Sequence, residues 1–412
     1  MASVAKDNKD AIIAAYNYTV KASLITNDDV EDLITETISD VLLNFEYGTK
    51  HMPTIYIGIK VNTKLYNKLV KNKNDATIKL SIYKYNKNST TQLQKPYIED
   101  NFVYEMNKDT SYNTTLVNET FKGSDSTGQA YKKGYIALIK IQSLNDNKKQ
   151  IINGIVRNIN LSSLIYTYTK HMNMVIEPIS NNVNISQLVL PPMDSITKFL
   201  EYLDLNYAIY NSGYRYFRDF DKTYLLSCDG NPVSDGTNSI NTIIIKIADN
   251  VDVEGNINST QINIEDNSYV ITIDSSRVTI DTNTTKEKSY NKIVGVTTDG
   301  KVSQYDINIP KNKYSTEKVK IQRVNNENTR SISAQKNTLE RTNVMMKIVK
   351  TELDGSMLTP NKEYIVKNKT ENRKYDGRYL LVSKKEILLK QEGIFISAMS
   401  FDLTKVDPVK ED

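Results

Sequence analysis

The chain has 412 residues, with 53 Lys and Arg against 49 Asp and Glu and a formal net charge of +4. That length exceeds one ordinary core, so two or more domains are expected. The near balance of charge excludes a dedicated nucleic-acid binder, whose basic excess would cluster. The single cysteine, Cys228, excludes an intramolecular disulfide and with it a small secreted scaffold held by bridges.

Asparagine, lysine, isoleucine and tyrosine are abundant, the composition that an AT-rich genome produces. The same bias accounts for the Asn-x-Ser/Thr triplets beginning at Asn17, Asn113, Asn118 and Asn283, which read as chance matches. Lysines are interleaved with asparagine and acid, as in Leu69–Lys79 (LVKNKNDATIK), the pattern of a solvated surface. The N-terminal stretch is charged and then only briefly apolar, so no signal peptide is expected. Nowhere do about eighteen apolar residues run together, so no membrane-spanning helix is expected.

In chain order, residues 27–47 (NDDVEDLITETISDVLLNFEY) predict an amphipathic helix. Val30, Leu33, Ile34, Ile38, Val41, Leu42 and Phe45 recur at spacings of three and four, with Asn27 or Asp28 as the cap. Thr54–Val61 (TIYIGIKV) and Thr77–Tyr85 (TIKLSIYKY) alternate with period two and predict strands, followed by a more apolar strand at Gly134–Leu144. The polar stretch 107–133 reads as a long loop. Residues 160–173 predict a short helix capped by Asn160 or Ser162. Pro191 and Pro192 are expected to stop whatever precedes them, after which Asp194 or Ser195 is placed to cap a helix carrying Ile196, Phe199, Leu200 and Leu203 inward.

From Tyr207 the pattern turns to alternation: YAIY, a turn at Asn211-Ser212-Gly213, then YRYFRDF and TYLLS. The remainder is almost wholly β, in short branched runs such as NTIIIKIAD, YVITIDSSRVTI, NKIVGVT and VSQYDINI. Residues 311–343 are polar, with helical content expected around Ser333–Lys350. A final set of strands lies in LTPNKEYIVKNK, YDGRYLLVSKKEILLK and GIFISAMSFDLTKV, before a tail, residues 407–412, that is expected to be disordered. The fold class is therefore mainly β with a few helices (α+β).

The residues offer little chemistry. His51 and His171 lie far apart and in no metal-binding spacing, and Cys228 has no histidine motif beside it. Asp7–Ala11 (DNKDA) and Asp229–Gly236 (DGNPVSDG) lack the ligand order of a calcium loop. Phosphate-loop, dinucleotide and nucleophile-elbow patterns are absent. Acid pairs such as Asp219 with Asp221, or Glu31 with Asp32, sit on ordinary surface patterns. No cofactor and no metal are expected, and a structural or binding role is favoured over catalysis.

Two patches carry a specific resemblance. Leu190 and Pro191, then Tyr207, Ala208, Ile209, Tyr210, Gly213, Phe217, Asp219, Tyr224, Leu225 and Leu226, follow a helix-then-hairpin pattern. That pattern resembles a segment of the baseplate hub proteins of contractile-tailed phages, and of the related spike-base half of type VI secretion proteins. Ala208 stands where that family commonly has glycine. Leu358–Val366 and Tyr375–Lys390 are similar to the family's ending, with Gly377 and Tyr379 in their expected places and Asn361 replacing a glycine.

The resemblance implies a homotrimer whose chains each carry two tail-tube-like β-barrel domains. Residues 1–185 would hold the first, 186–236 a helix–hairpin connecting segment, and 237–406 the second with a polar insertion around 311–343. It implies a virion component assembled in the bacterial cytoplasm, with a tail tube protein above, a central spike or tail lysin below and other baseplate proteins around it. No membrane and no sequence-specific nucleic acid are implied. Tyr207, Tyr210, Tyr214, Tyr216, Phe217, Asp219, Tyr224, Gly377 and Tyr379 become candidates for a subunit interface or the hub core. Tyr207, Tyr210, Tyr214, Tyr216, Phe217, Phe220 and Tyr224 are expected to alternate along two strands, one set toward the core and the other toward a neighbour. A trimeric tail fibre or receptor-binding adhesin predicts glycine-rich repeats or heptads, yet the chain has only 15 glycines and no period. A tail-tip cell-wall hydrolase predicts a catalytic constellation that the sequence does not offer, and a bacterial surface protein predicts an export signal.

Overall fold

The computed structural model describes residues 16–407 apart from 27–29, 32–34, 36–37, 52–53, 62, 73–74, 87–95, 108–131, 141–150, 220–221, 237–239, 250–259, 283–291, 298–299, 307–318, 325–343, 352, 370–372 and 392. The first group of elements is β1 (Tyr16–Ile25), β2 (Val30–Glu31), β3 (Ile38–Glu46), β4 (Thr49–His51), β5 (Thr54–Val61), helix α1 (Thr63–Lys71), β6 (Thr77–Asn86), β7 (Ile98–Asn107) and β8 (Lys132–Lys140). Then come β9 (Ile152–Asn160), α2 (Leu161–Thr169), β10 (Met174–Ile176), β11 (Asn184–Met193), α3 (Ile196–Tyr207), β12 (Tyr214–Arg218) and β13 (Thr223–Ser227). The last group starts with β14 (Thr242–Ala248), β15 (Thr260–Glu265), β16 (Ser268–Asp274), β17 (Val278–Asp281), β18 (Lys292–Thr297) and β19 (Val302–Asp306). It ends with β20 (Val319–Val324), β21 (Met345–Thr351), β22 (Glu363–Asn368), β23 (Gly377–Gln391) and β24 (Ile394–Lys405). The protein is mostly β with few helices.

One large sheet joins both ends of the chain. Within it β3, β5, β8, β7, β6, β1, β24 and β23 pair in that order, and β23 pairs back onto β3, so the pairings run in a closed circuit. The link between β1 and β24 is the shortest, Asn17 with Ile396 and Tyr18 with Phe395. Alternate residues of these strands enter one core: Tyr18, Val20, Ala22 and Leu24 from β1, Val41, Leu43 and Phe45 from β3, and Ile78, Leu80 and Ile82 from β6. Period-two burial of this kind is what a strand with one apolar face requires. Beside the circuit, β22 pairs with β14 in parallel, then β16 and β15 follow.

A second core lies under the middle group. It is built from Leu161, Leu164 and Ile165 of α2, Ile196, Phe199, Leu200 and Leu203 of α3, and Ile185, Leu188, Leu190 and Met193 of β11. Asn160 caps α2, its side chain accepting from Ser163 N, and Ser195 caps α3 by accepting from Lys198 N. α3 ends where Ala208 takes the left-handed conformation at φ 51°, a position that favours glycine.

Several expectations are corrected. The described part of 27–47 is strand, not helix: β2 and β3. A register shift between Ile38 and Asp40 inserts one residue and mimics helical spacing, after which Val41, Leu43, Phe45 and Tyr47 alternate inward. Of the stretch 107–133, Asn107 closes β7 and Lys132–Lys133 open β8, while 108–131 lie outside the described residues. The prolines 191 and 192 do not end the preceding element, for β11 runs through them to Met193 with a register irregularity against β9. Asn211-Ser212-Gly213 joins the end of α3 to β12, and the hairpin itself is β12–β13. Met345–Thr351 is strand where helix was expected, and β20 lies within the polar region 311–343. Asp407 is ordered, accepting from Arg378 N at 2.8 Å and from Arg378 Nε at 3.2 Å, and 408–412 lie outside the described residues.

Candidate functional site

The β12–β13 hairpin separates the two cores, and strand alternation explains how. Tyr216 lies opposite Leu225, and both enter the helix core. Phe217 lies opposite Tyr224, and these, with Leu226, enter the sheet core. Phe217 stacks on Tyr224 with ring centres 5.4 Å apart and meets Tyr47 edge-on at 5.2 Å. β12 also pairs in parallel with β4, the short strand between β3 and β5, so the hairpin is held by main-chain bonds to that strand and by an aromatic cluster in the sheet core. The density of aromatic residues in Pro191–Ser227 therefore reflects a hairpin with two buried faces.

The other sequence candidates take distinct places. Tyr207 ends α3 and is half-buried against the helix core, as is Tyr214 at the start of β12. Tyr210 is buried in the turn after α3, not on a strand; its hydroxyl donates to the Glu177 carbonyl at 2.7 Å, with the Leu225 carbonyl at 3.2 Å. Asp219 opens the hairpin turn, its amide donating to the Lys222 carbonyl at 2.8 Å. Phe220 lies outside the described residues. Gly377 starts β23 at φ 137°, where a methyl would stand 2.6 Å from Lys405 Nζ. Tyr379 is fully buried and donates to the Tyr375 carbonyl at 2.7 Å. The structure brings Phe217 and Tyr224 together in one core, and Tyr207, Tyr210, Tyr214 and Tyr216 around the other.

Sequence reasoning missed a set of buried charges inside the strand circuit. Lys84 pairs with Asp354, donates to Ser356 Oγ at 3.3 Å and lies 4.0 Å from the Tyr97 ring centre. Glu386, at 0% exposure, accepts from Tyr18 Oη at 3.1 Å and Tyr97 Oη at 2.7 Å. Burial pushes the Glu386 carboxyl up, outweighing the pull of Lys84 and the Tyr97 hydroxyl. Burial also acts to raise Asp354, but the Lys84 charge and the Lys84 and Ser356 hydrogen bonds overcome it and hold that carboxyl below its ordinary value. Lys384 is pulled down by burial, against the charges of Asp219 and Glu386. A signal was present in the sequence: Lys84 continues the inward phase of Ile78, Leu80 and Ile82. A charge in that phase points to a buried partner.

At the surface of the helix core, β9 and β11 form a two-stranded ribbon whose facing pair Ile155 and Val189 is 59% exposed on both strands, with Ile151 at 76%. An open groove of about 430 Å³ lies between α2 and Glu177–Ile179 and is lined by Ser162, Ser163 and Tyr166. Among the described residues no cluster of three or more His, Cys, Asp and Glu side chains is placed to hold a metal. No helix among them is long and apolar enough to cross a membrane.

Residues 9–406 match the family model described as Bacteriophage PBS1 gene 109 protein, and the chain belongs to that family. No curated protein matches it by sequence. Among solved structures it is similar to the tail protein from Neisseria meningitidis MC58, with a TM-score of 0.49 and 8% identity over 94% of this chain and 96% of that one. It is also similar to the 43 kDa tail protein of prophage MuSo2 from Shewanella oneidensis, with a TM-score of 0.47 and 9% identity over 92% and 98%. A third similarity is to the Francisella PdpA-VgrG complex in its lidded form, with a TM-score of 0.44 and 11% identity over 97% of this chain and 54% of that one.

Proposed function

We propose that the chain is a structural component of a phage tail, the hub at the centre of the baseplate, and that it acts as a homotrimer. The observation that carries this reading is the closed circuit of strands in which β1, β3 and β5–β8 from one end of the chain interleave with β23 and β24 from the other. It supports a tail-tube-like barrel, and β14, β15, β16 and β22 beside it support a second tube-like unit. Residues 1–185 and 237–406 supply the two units, the first through β1, β3 and β5–β8 and with β23 and β24 shared, and 186–236 join them together with 152–185, which pack against that segment in the helix core. Membership of a phage protein family and the two hub-like sequence patches agree with this assignment.

Three such chains present six similar units to a sixfold tail tube and three to a central spike or tail lysin, so the protein adapts one symmetry to the other and walls the channel. Other baseplate proteins surround it, and the assembled particle is a virion component. The role needs shape and rigidity, and no catalysis or cofactor. Of the candidate residues, the half-buried Tyr207 and Tyr214 keep surface for a neighbouring copy, on the same module as the exposed pair Ile155 and Val189.

Native mass spectrometry of the purified chain tests the reading. A species of about 140 kDa, three copies of a 46.9 kDa chain, is expected, and Ile155→Asp should shift it to monomer without unfolding it. A monomer that stays monomeric when its tube and spike partners are added would overturn the hub. A thin elongated shaft would favour the fibre, and cell-wall cleavage by the purified chain the hydrolase.

A further inference from the structure

Between β21 and β22 the chain passes through Leu353–Lys362 without forming a strand, yet Leu353, Gly355, Leu358, Pro360, Asn361 and Lys362 are buried. A buried irregular segment must find partners for its peptide groups. Here side chains supply them. Lys384 Nζ donates to the Gly355 and Leu358 carbonyls, both at 3.0 Å, and Lys362 Nζ donates to the Met357 carbonyl at 3.0 Å. The Tyr364 hydroxyl donates to the Thr359 carbonyl at 2.8 Å, and Arg215 Nη2 to the Pro360 carbonyl at 3.4 Å. Asp354 accepts from Ser356 N at 3.1 Å while it pairs with Lys84.

The two ends of this segment grip different bodies. Asp354–Leu358 is fixed inside the strand circuit by Lys84 of β6 and Lys384 of β23. Pro360 and Asn361 face the hairpin side. Arg215 of β12 also donates through Nη1 to the Leu381 carbonyl at 3.3 Å and through Nε to the Ser227 carbonyl at 3.2 Å, which ties β12, β13, β23 and the segment together. Val233, just beyond the hairpin, exchanges two bonds with Asn361: Val233 N donates to the Asn361 carbonyl at 2.9 Å, and Asn361 Nδ2 to the Val233 carbonyl at 2.8 Å. There is no slack at the inner end, where a methyl on Gly355 would lie 2.6 Å from Glu386 Oε2 and 2.7 Å from Met399 Cε.

We propose that Leu353–Lys362 is a coupling strap, through which the Lys84–Asp354 ion pair inside the strand circuit sets how firmly the β12–β13 hairpin and the helix core behind it are seated on the sheet. Lys84 and Asp354 are positioning residues in this device, acting on the hairpin through the strap and touching it nowhere directly among the contacts above. The inference stands on geometry within one chain and does not depend on the hub reading.

Hydrogen exchange of the full chain at pH 7, read by mass spectrometry, tests it with Asp354→Asn. Asparagine keeps an acceptor for Ser356 N but leaves the Lys84 ammonium buried without its anion, a change that weakens local structure by roughly a hundredfold. Protection is expected to fall by at least about tenfold both in 353–362 and in the hairpin 214–227, while β7 keeps its protection. Tyr104→Phe, which removes a bond from the Tyr104 hydroxyl to the Leu69 carbonyl at 2.8 Å, is the control for destabilisation elsewhere in the circuit. Loss confined to 353–362, or loss spread evenly as in the control, overturns the proposal. If Asp354→Asn does not fold, Ser356→Ala keeps the ion pair but removes the 2.7 Å bond from the Ser356 hydroxyl to Asp354 and the 3.3 Å bond that hydroxyl accepts from Lys84, and should give the same pattern at about threefold. The pair Lys84→Met with Asp354→Asn removes both charges while keeping an acceptor for Ser356 N, and should return hairpin protection to within about twofold of the starting protein.

Discussion

Asp204 sits in the last turn of α3, where its Oδ1 accepts from the Ile209 amide at 3.0 Å. Burial raises its carboxyl from an ordinary 3.8 to about 6, the Ile209 hydrogen bond pulling the other way. A helix C-terminus adds nothing to stabilise the anion. The folded state therefore holds a proton on Asp204 more tightly than the unfolded chain does. The stability this provides is fully present below about pH 4 and is lost as pH rises through about 6. Two pH units correspond to about 3 kcal/mol, and partial solvent access brings the expected cost of the anion at pH 7 to about 2 kcal/mol. Asp204→Asn keeps an acceptor for the Ile209 amide and removes the charge. It should stabilise the protein at pH 7, by about 2 °C in melting temperature for a chain of this size, and the two proteins should converge below about pH 4. Urea and thermal unfolding at pH 4, 5.5 and 7 measure this directly. A variant less stable than the parent at pH 7, or one whose advantage is the same at pH 4, refutes the reasoning.

Three further substitutions probe packing and capping. Gly355→Ala forces a methyl against Glu386 and Met399 and should cost about 1–3 kcal/mol in denaturant unfolding. Phe217→Ala empties the contact between Tyr47 and Tyr224 and should cost about 3–5 kcal/mol, with near-ultraviolet circular dichroism reporting the loss of the tyrosine cluster. Ser195→Ala removes the cap of α3 and should cost about 1 kcal/mol, read as faster exchange of the Lys198 amide.

Local signals were legible where one rule acted alone. The run TIYIGIKV matches β5, and α3 starts at its expected cap with Ile196, Phe199, Leu200 and Leu203 all buried. The class of fold and the two helices of the middle segment follow from period and capping in the same way. Residues 27–47 misled because one inserted residue at a β-bulge turns period two into spacings of three and four. β1 and β7 went unread, since Asp100 interrupts the inward phase of β7 between Ile98 and Phe102, and β1 draws its stability from β6 and β24, partners far away in sequence. The same distance hid the closed circuit, which depends on β1 meeting β24 across the whole chain. At the candidate site, aromatic density fell on the β12–β13 hairpin, but the turn expected at Asn211-Ser212-Gly213 lies before it, and both hairpin faces are buried within the chain. Tyr210, Tyr216, Phe217, Tyr224 and Tyr379 fill cores within the chain, and only Tyr207 and Tyr214 among those tyrosines keep surface. The buried charges at Lys84, Asp354, Lys384 and Glu386 were missed because each has its partner on a different strand or segment.

The proposed closure of copies of this chain into a hub ring can be seen in class averages of the purified protein by negative-stain electron microscopy. Rings with threefold or pseudo-sixfold symmetry and a central hole are expected, formed alone or on addition of the spike partner. Compact particles without a hole, unchanged by that partner, would contradict it.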